Sequence, residues 1–163
     1  MTWSSYVEKL QSGLDLEPHE VRAVMREILE GRANTESIKE FLLALKEKGE
    51  TSDEVGALVA EMYAHCTPIN IPERAVDTVG TGGDGRHTIN ISTTAAIISA
   101  AAGARVVKHG NRAVSSRSGA SDFLSALGVI PGLSASGVER TVRELGIGFC
   151  FAPIFHPAMK HAA

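Results

Sequence analysis

Pro68 and Pro72, in the stretch "CTPINIPERA" (residues 66–75), divide this chain into two parts with different periodicities. Neither proline supplies an amide donor, and each restricts the residue before it, so no helix runs through the segment. On the N-terminal side apolar residues recur at helical spacing. Val21, Val24, Met25, Ile28 and Leu29 form one stripe, with Pro18 suited to a first helical turn and Gly31 to a stop. Ile38, Phe41, Leu42 and Leu45 form a second stripe, ended by Gly49. In "TSDE", Thr51 and Glu54 stand three apart as a capping box, ahead of Val55, Leu58, Val59, Met62 and Tyr63. With a short helix near Tyr6 to Leu10, residues 1–70 read as a small four-helix bundle whose stripes form core or dimer surface.

Beyond the prolines, alanine, glycine and small hydroxyl residues dominate. The pattern predicts a strand near Ala75 to Val79, a glycine loop, and a helix from about Thr93 to Ala102. A strand in "ARVVKHG", helices near Ser121 to Leu127 and Val138 to Leu145, and a strand in "IGFCFAP" follow. Alternating strands and helices imply a parallel sheet. The expected fold class is therefore α/β: a helical bundle followed, over residues 71–163, by the first part of a mainly parallel-sheet α/β domain. Cys66 and Cys150 have no metal-like spacing, and "MTWSSYVEKLQSG" lacks a secretory pattern. The apolar run Ala95 to Ala104 is too short to span a bilayer. A cytoplasmic protein with no membrane partner is the expectation.

The chemistry concentrates in "DTVGTGGDGRHTINIST" (residues 77–93). Gly80, Gly82, Gly83 and Gly85 let backbone N–H groups approach a ligand closely. A loop between a strand and a helix aims those groups at an anion. No Gly-Lys-Ser/Thr follows, which excludes a P-loop, and no acid lies about 20 residues on to hold a ribose as in dinucleotide folds. Ser92 and Thr93 are suited to capping the helix, and their hydroxyls are expected to face the same anion position. A serine oxygen also ligates a hard cation such as Mg²⁺, weakly without carboxylates. From Gly85 to Ser121 there is no acid, while Arg86, Arg105, Lys108, Arg112 and Arg117 are all basic; the remaining residues sum to −8. A basic window inside an acidic protein points to one anion site and not to a nucleic-acid surface. "KHGNRAVSSRSG" (residues 108–119) follows a strand, so Lys108 and Asn111 converge with the glycine loop at one sheet edge. Lys108 offers a point charge for phosphate, and Asn111 amide donors and an acceptor. His109 is as readily a structural histidine as a ligand.

Together, "DTVGTGGDG…TINIST", "KHGNRAVSSRSGASDFLSALG" and "FAPIFHPAMK" resemble the signature stretches of the anthranilate phosphoribosyltransferase family, in that family's order. The helices before them resemble its N-terminal domain. The resemblance implies a nucleoside phosphorylase/phosphoribosyltransferase-like fold and transfer of phosphoribosyl from PRPP to the amine of anthranilate, with release of pyrophosphate, in tryptophan biosynthesis. It implies that Gly80, Gly83, Asp84, Thr88, Asn90, Ser92 and Thr93 meet PRPP, and that Lys108, His109, Gly110, Asn111, Arg112, Ser115 and Ser116 wrap its phosphates. Gly80 and Asn111 would border anthranilate, Ser92 would ligate Mg²⁺, and the helical part would form a homodimer. Ala120 stands where many members carry a PRPP-contacting Ser, which removes that side-chain hydrogen bond. His156 and Pro157 belong to a stretch near the family's anthranilate tunnel.

The family continues into a second half that carries an anthranilate-binding Arg and a magnesium-binding Asp-Glu pair, and neither is found here. The chain accordingly reads as the N-terminal half of such an enzyme, with impaired activity expected in isolation. Two alternatives share the architecture: a catalytically silent nucleic-acid-binding relative and a pyrimidine nucleoside phosphorylase-like enzyme. The intact "GTGGD" and "KHGNR" favour the transferase.

Overall fold

The computed structural model describes residues 2–80, 89–113 and 118–162. The chain forms two compact units, one of residues 1–66 with 156–163 and the other of residues 67–155.

The first unit is built from α1 (Trp3–Gln11), α2 (Pro18–Leu29), α3 (Thr35–Lys48) and α4 (Ser52–Ala64). The helix starts follow their local chemistry. The Glu20 carboxylate accepts from the Glu17 amide (2.8 Å) across Pro18, Asn34 accepts from the Ser37 amide, and Thr51 and Glu54 form the box expected from "TSDE". The stops at Gly31 and Gly49 use positive φ (70° and 87°), where a side chain is strained. The apolar stripes close over a core that includes Leu10, Val21, Val24, Ile28, Phe41 and Leu45. Three carboxylates are buried with it. Glu54 accepts from the Leu16 amide (2.9 Å) and the Lys48 ammonium (2.8 Å), Glu61 takes Arg22 (2.9 Å) and Arg26 (2.8 Å), and Glu20 takes Lys9 (2.6 Å). The 3-10 turn Pro157–His161 returns to this unit. Ala158 and Met159 pack on its core, and the His161 ring fills the space that a side chain at Gly31 would need. A division near residue 70 does not anticipate that return, which rests on packing distant in sequence.

The second unit comprises α5 (Ile91–Ala101), β1 (Val106–Gly110), α6 (Ala120–Ala126), α7 (Ala135–Leu145), β2 (Ile147–Phe151) and α8 (Ala152–Phe155). β1 and β2 pair in parallel from Val106↔Ile147 to Gly110↔Phe151. α7 lies directly on β2: a Cβ at Gly148 would sit 2.5 Å from a Val142 methyl and 2.9 Å from a Val138 methyl. The strand expected near residues 75–79 is a single parallel bridge, Val76 to Val106. Its ladder consists of the Val76 amide on the Arg105 carbonyl (2.9 Å) and the Val107 amide on the Val76 carbonyl (3.0 Å). After Val76, the Asp77 carboxylate takes the His109 amide (3.2 Å) and the Thr78 carbonyl takes the Lys108 ammonium (2.8 Å), bonds that displace the ladder. The proline segment is bound down: the Thr67 amide donates to the Phe155 carbonyl (2.8 Å) and the Asn70 amide to Glu139 (2.7 Å). Among the described residues no helix is long and apolar enough to cross a membrane.

Candidate anion-binding site

Three segments of the second unit meet at the carboxyl end of β1: residues 76–80, the start of α5, and the stretch from Lys108 onward. Lys108 is 2% exposed. Its ammonium donates to the Thr78 carbonyl (2.8 Å) and, at 3.4 Å, to the His109 carbonyl. Burial pushes Lys108 below the usual lysine range, with the nearby Asp77 acting against it. The sequence suggests a phosphate-facing point charge; in the fold this ammonium bonds the backbone at the base of the glycine loop. The Asp77 carboxylate accepts from the His109 amide (3.2 Å). On the neighbouring strand the Cys150 thiol is pushed up to about 11, by burial first and then by Asp77.

α5 begins at Asn90, whose side chain does not cap the helix and donates instead to the Ser118 carbonyl (3.4 Å) and hydroxyl (3.3 Å). The Ser92 carbonyl accepts from the Thr78 hydroxyl (2.8 Å). Thr93 is 0% exposed, and its hydroxyl has no hydrogen-bond partner among the described residues. A buried hydroxyl in the first turn of a helix, beside N–H groups the helix cannot pair, fits an anion-binding role.

The loop after β1 is drawn together at its neck. The Asp122 carboxylate accepts from the Gly119 amide (2.9 Å) and the Ala113 amide (3.2 Å), and the Ser121 amide donates to the Asn111 carbonyl (3.2 Å). Backbone donors, Gly119 first, hold the Asp122 carboxyl below its usual range. There is no room for a side chain at Gly119, whose Cβ would lie 2.3 Å from the Ala113 nitrogen. Gly110 and Ala120 face each other with similar closeness, a Cβ on the glycine falling 2.9 Å from the alanine methyl. Asn111 and Arg112 are exposed, and the Asn111 side-chain oxygen accepts from the Arg112 amide (2.8 Å). Gly80 is exposed, with nothing within 4 Å of the place a Cβ would take. Of the residues the sequence singled out, Gly83, Asp84, Thr88, Ser115 and Ser116 lie outside the described residues.

Asp77, Thr78 and Asp122 were not singled out by sequence. Asp122 had a visible signal: an acid three residues after Gly119, at the start of a helix. Thr78 had none, because its partners lie 14 and 30 residues away. For magnesium the donor set is thin. Ser92 offers a single hydroxyl, and no group of three or more His, Cys, Asp or Glu that could hold a metal occurs among the described residues. Mg²⁺ requires carboxylates or phosphates beside such an oxygen, so these residues do not make a metal site by themselves.

Residues 4–66 match the model of the glycosyl transferase family helical bundle domain, and residues 72–163 that of the same family's a/b domain. The chain belongs to this glycosyl transferase family. A curated anthranilate phosphoribosyltransferase of Saccharopolyspora erythraea is 49% identical over 162 residues, covering 99% of this chain and 46% of the relative. That of Methanosarcina mazei is 51% identical over 160 residues, covering 97% and 43%. The crystal structure of the Thermus thermophilus anthranilate phosphoribosyltransferase superposes with a TM-score of 0.90 at 43% identity, covering 97% of this chain and 48% of that one. The Saccharomyces cerevisiae enzyme in complex with PRPP and Mg superposes with a TM-score of 0.86 at 29% identity, covering 98% and 49%. The chain thus spans about half the length of the curated relatives it matches. In this glycosyl transferase family member, the bundle and the parallel strands are both present.

Proposed function

We propose that the second unit binds PRPP and that the protein's reaction is phosphoribosyl transfer to anthranilate, giving N-(5-phosphoribosyl)anthranilate and pyrophosphate in tryptophan biosynthesis. The observation that carries this reading is the Thr93 hydroxyl, buried and without a partner among the described residues, in the first turn of α5, which Thr78 ties to Lys108. The relative solved with PRPP and Mg, at 29% identity over nearly the whole chain, supports it. In this reading the α5 first turn (Asn90, Ser92, Thr93) and the glycine loop (Gly80, Gly83, Asp84, Thr88) meet PRPP, with their backbone N–H groups and hydroxyls facing its phosphates. The stretch Lys108, His109, Gly110, Asn111, Arg112, Ser115, Ser116 and Ala120 encloses them. Lys108 contributes through its field and by bracing Thr78. Gly80 and Asn111 border anthranilate. The amine lone pair forms a bond to C1 of the ribose as the C1–O bond to pyrophosphate breaks, and the amine then gives up a proton. Holding the two reactants in line and balancing the pyrophosphate charge supply the rate without a covalent enzyme intermediate. Of this chain's residues Ser92 would offer Mg²⁺ one hydroxyl, and a Mg²⁺ bound with PRPP would offset pyrophosphate charge.

A homodimer through the helical unit is part of the proposal. Val55, Val59 and Tyr63 form an i, i+4, i+8 stripe on α4 that is 46%, 43% and 71% exposed. Val59→Asp should shift the sedimentation mass from dimer to monomer. The binding reading is tested by calorimetric titration with PRPP and Mg²⁺, and by following anthranilate consumption. Saturable PRPP binding is expected; its absence overturns the reading.

A further inference from the structure

We infer that Thr78 is a positioning residue for the anion site: its hydroxyl aims the Thr93 amide, while its carbonyl anchors Lys108. The inference rests on the PRPP-binding reading above. Three segments must be fixed relative to one another before a phosphate can be held, namely the base of the glycine loop, the first turn of α5, and the end of β1. The backbone ladder that ties the first of these to β1 ends at Val76. Two residues later Thr78 takes over. Its carbonyl accepts the Lys108 ammonium at 2.8 Å, and its hydroxyl donates to the Ser92 carbonyl at 2.8 Å.

The second bond bears on the ligand. The Ser92 carbonyl and the Thr93 N–H belong to one planar peptide unit, so fixing the carbonyl fixes the direction of the N–H. That N–H is among the first-turn donors a helix does not pair internally. A hydrogen bond into the carbonyl also polarises the same peptide unit and strengthens its N–H as a donor. The Thr93 hydroxyl, buried and without a partner among the described residues, lies on the same residue. Thr78 therefore sets the aim of the Thr93 N–H, next to that hydroxyl, without itself touching the ligand.

The test uses the whole chain with Thr78→Val, which keeps the shape and removes the hydroxyl, and Thr78→Ser, which keeps the hydroxyl. PRPP with Mg²⁺ is the probe for calorimetry, and the Thr93 amide resonance reports the peptide unit directly. Thr78→Val should weaken PRPP binding by roughly five- to tenfold, the worth of about one hydrogen bond. It should also move the Thr93 amide resonance, with the urea midpoint lowered by no more than the loss of that one hydrogen bond. Thr78→Ser should restore both. Should the valine variant not fold, Thr78→Ala takes its place. Equal PRPP affinity in the hydroxyl-free variant and wild type overturns the role of Thr78, as does a serine variant as weak as valine. Failure of the wild-type chain to bind PRPP overturns the binding reading instead. The hold of Thr78 on the Thr93 peptide unit is then decided by the spectrum, and an unmoved resonance in Thr78→Val refutes it.

Discussion

Lys108 brings an ammonium into an almost closed environment, and two opposing effects set what it is worth. Burial disfavours the charge, while the Thr78 carbonyl and nearby Asp77 favour it. Lys108→Met removes both sides of that balance, so the urea-derived stability should change by no more than about 1 kcal/mol. PRPP affinity should nevertheless fall roughly tenfold, as lost field and lost bracing act together; a large stability loss with unchanged affinity would make Lys108 purely structural. Cys150 gives a pH signature from the same strand pair. Its thiol is pushed from 9.0 up to about 11, so between those values the folded state keeps a proton that the unfolded state has lost. Stability is complete below pH 9 and falls as pH rises towards 11, by on the order of 2 kcal/mol. Lys108 acts in the opposite direction, because its lowered value makes the unfolded state the better proton binder up to about 10.5. The difference between wild type and Cys150→Ala in urea unfolding at pH 8 and pH 10.5 isolates the thiol, and the alanine variant should show the smaller alkaline loss.

At the scale of elements, the packing of α7 on β2 depends on Gly148. A Cβ there meets Val142 at 2.5 Å and Val138 at 2.9 Å, both on a helix held at its start by Ser134. Gly148→Ala should therefore cost about 1–3 kcal/mol by overpacking. Adding Val142→Ala should recover part of that loss in urea unfolding, since the two substitutions share one space and do not add. The elements themselves were largely legible in the sequence, because caps and stripes are local. "TSDE" names the start of α4, and Pro18 and Gly31 bracket α2, from contacts no more than a few residues long. The expected strand at residues 75–79 failed for the complementary reason. Its valines suit a sheet, but Asp77 and Thr78 bond across 14 to 32 residues, and periodicity carries no trace of such pairs. The same limit explains the site. Glycines, Asn111 and Ser92 announce an anion by residue type, whereas the direction of Lys108 and the neck closed by Asp122 depend on how β1, α5 and α6 converge.

The two units differ in how they should respond to acid, and the difference follows from where each keeps its carboxylates. In the helical unit Glu20, Glu54 and Glu61 are all buried, and all three are held below the usual carboxylate value of 4.5. For Glu61 the Arg26 hydrogen bond is the largest cause and outweighs burial. For Glu20 and Glu54 burial is the largest single effect and pushes upward, but lysine and backbone donors together exceed it. The carboxylates lowered in the α/β unit, Glu73 and Asp122, are not buried. A depressed folded value means that the unfolded state binds more protons as pH falls, so stability present above about pH 4.5 is lost as pH drops through the folded values. The helical unit should consequently lose its amide protection first. Between pH 5 and pH 3, hydrogen exchange in α2 and α4 should accelerate more than in β1 and β2. Glu61→Gln should cost about 1–2 kcal/mol at pH 7, because Arg22 and Arg26 lose a charged partner yet remain half exposed to water. The same variant should flatten the acid dependence of α2 and α4 and leave that of β1 and β2 as in wild type. Equal acceleration in both units, or an unchanged acid profile in Glu61→Gln, would show that the buried carboxylates do not set the order of acid unfolding.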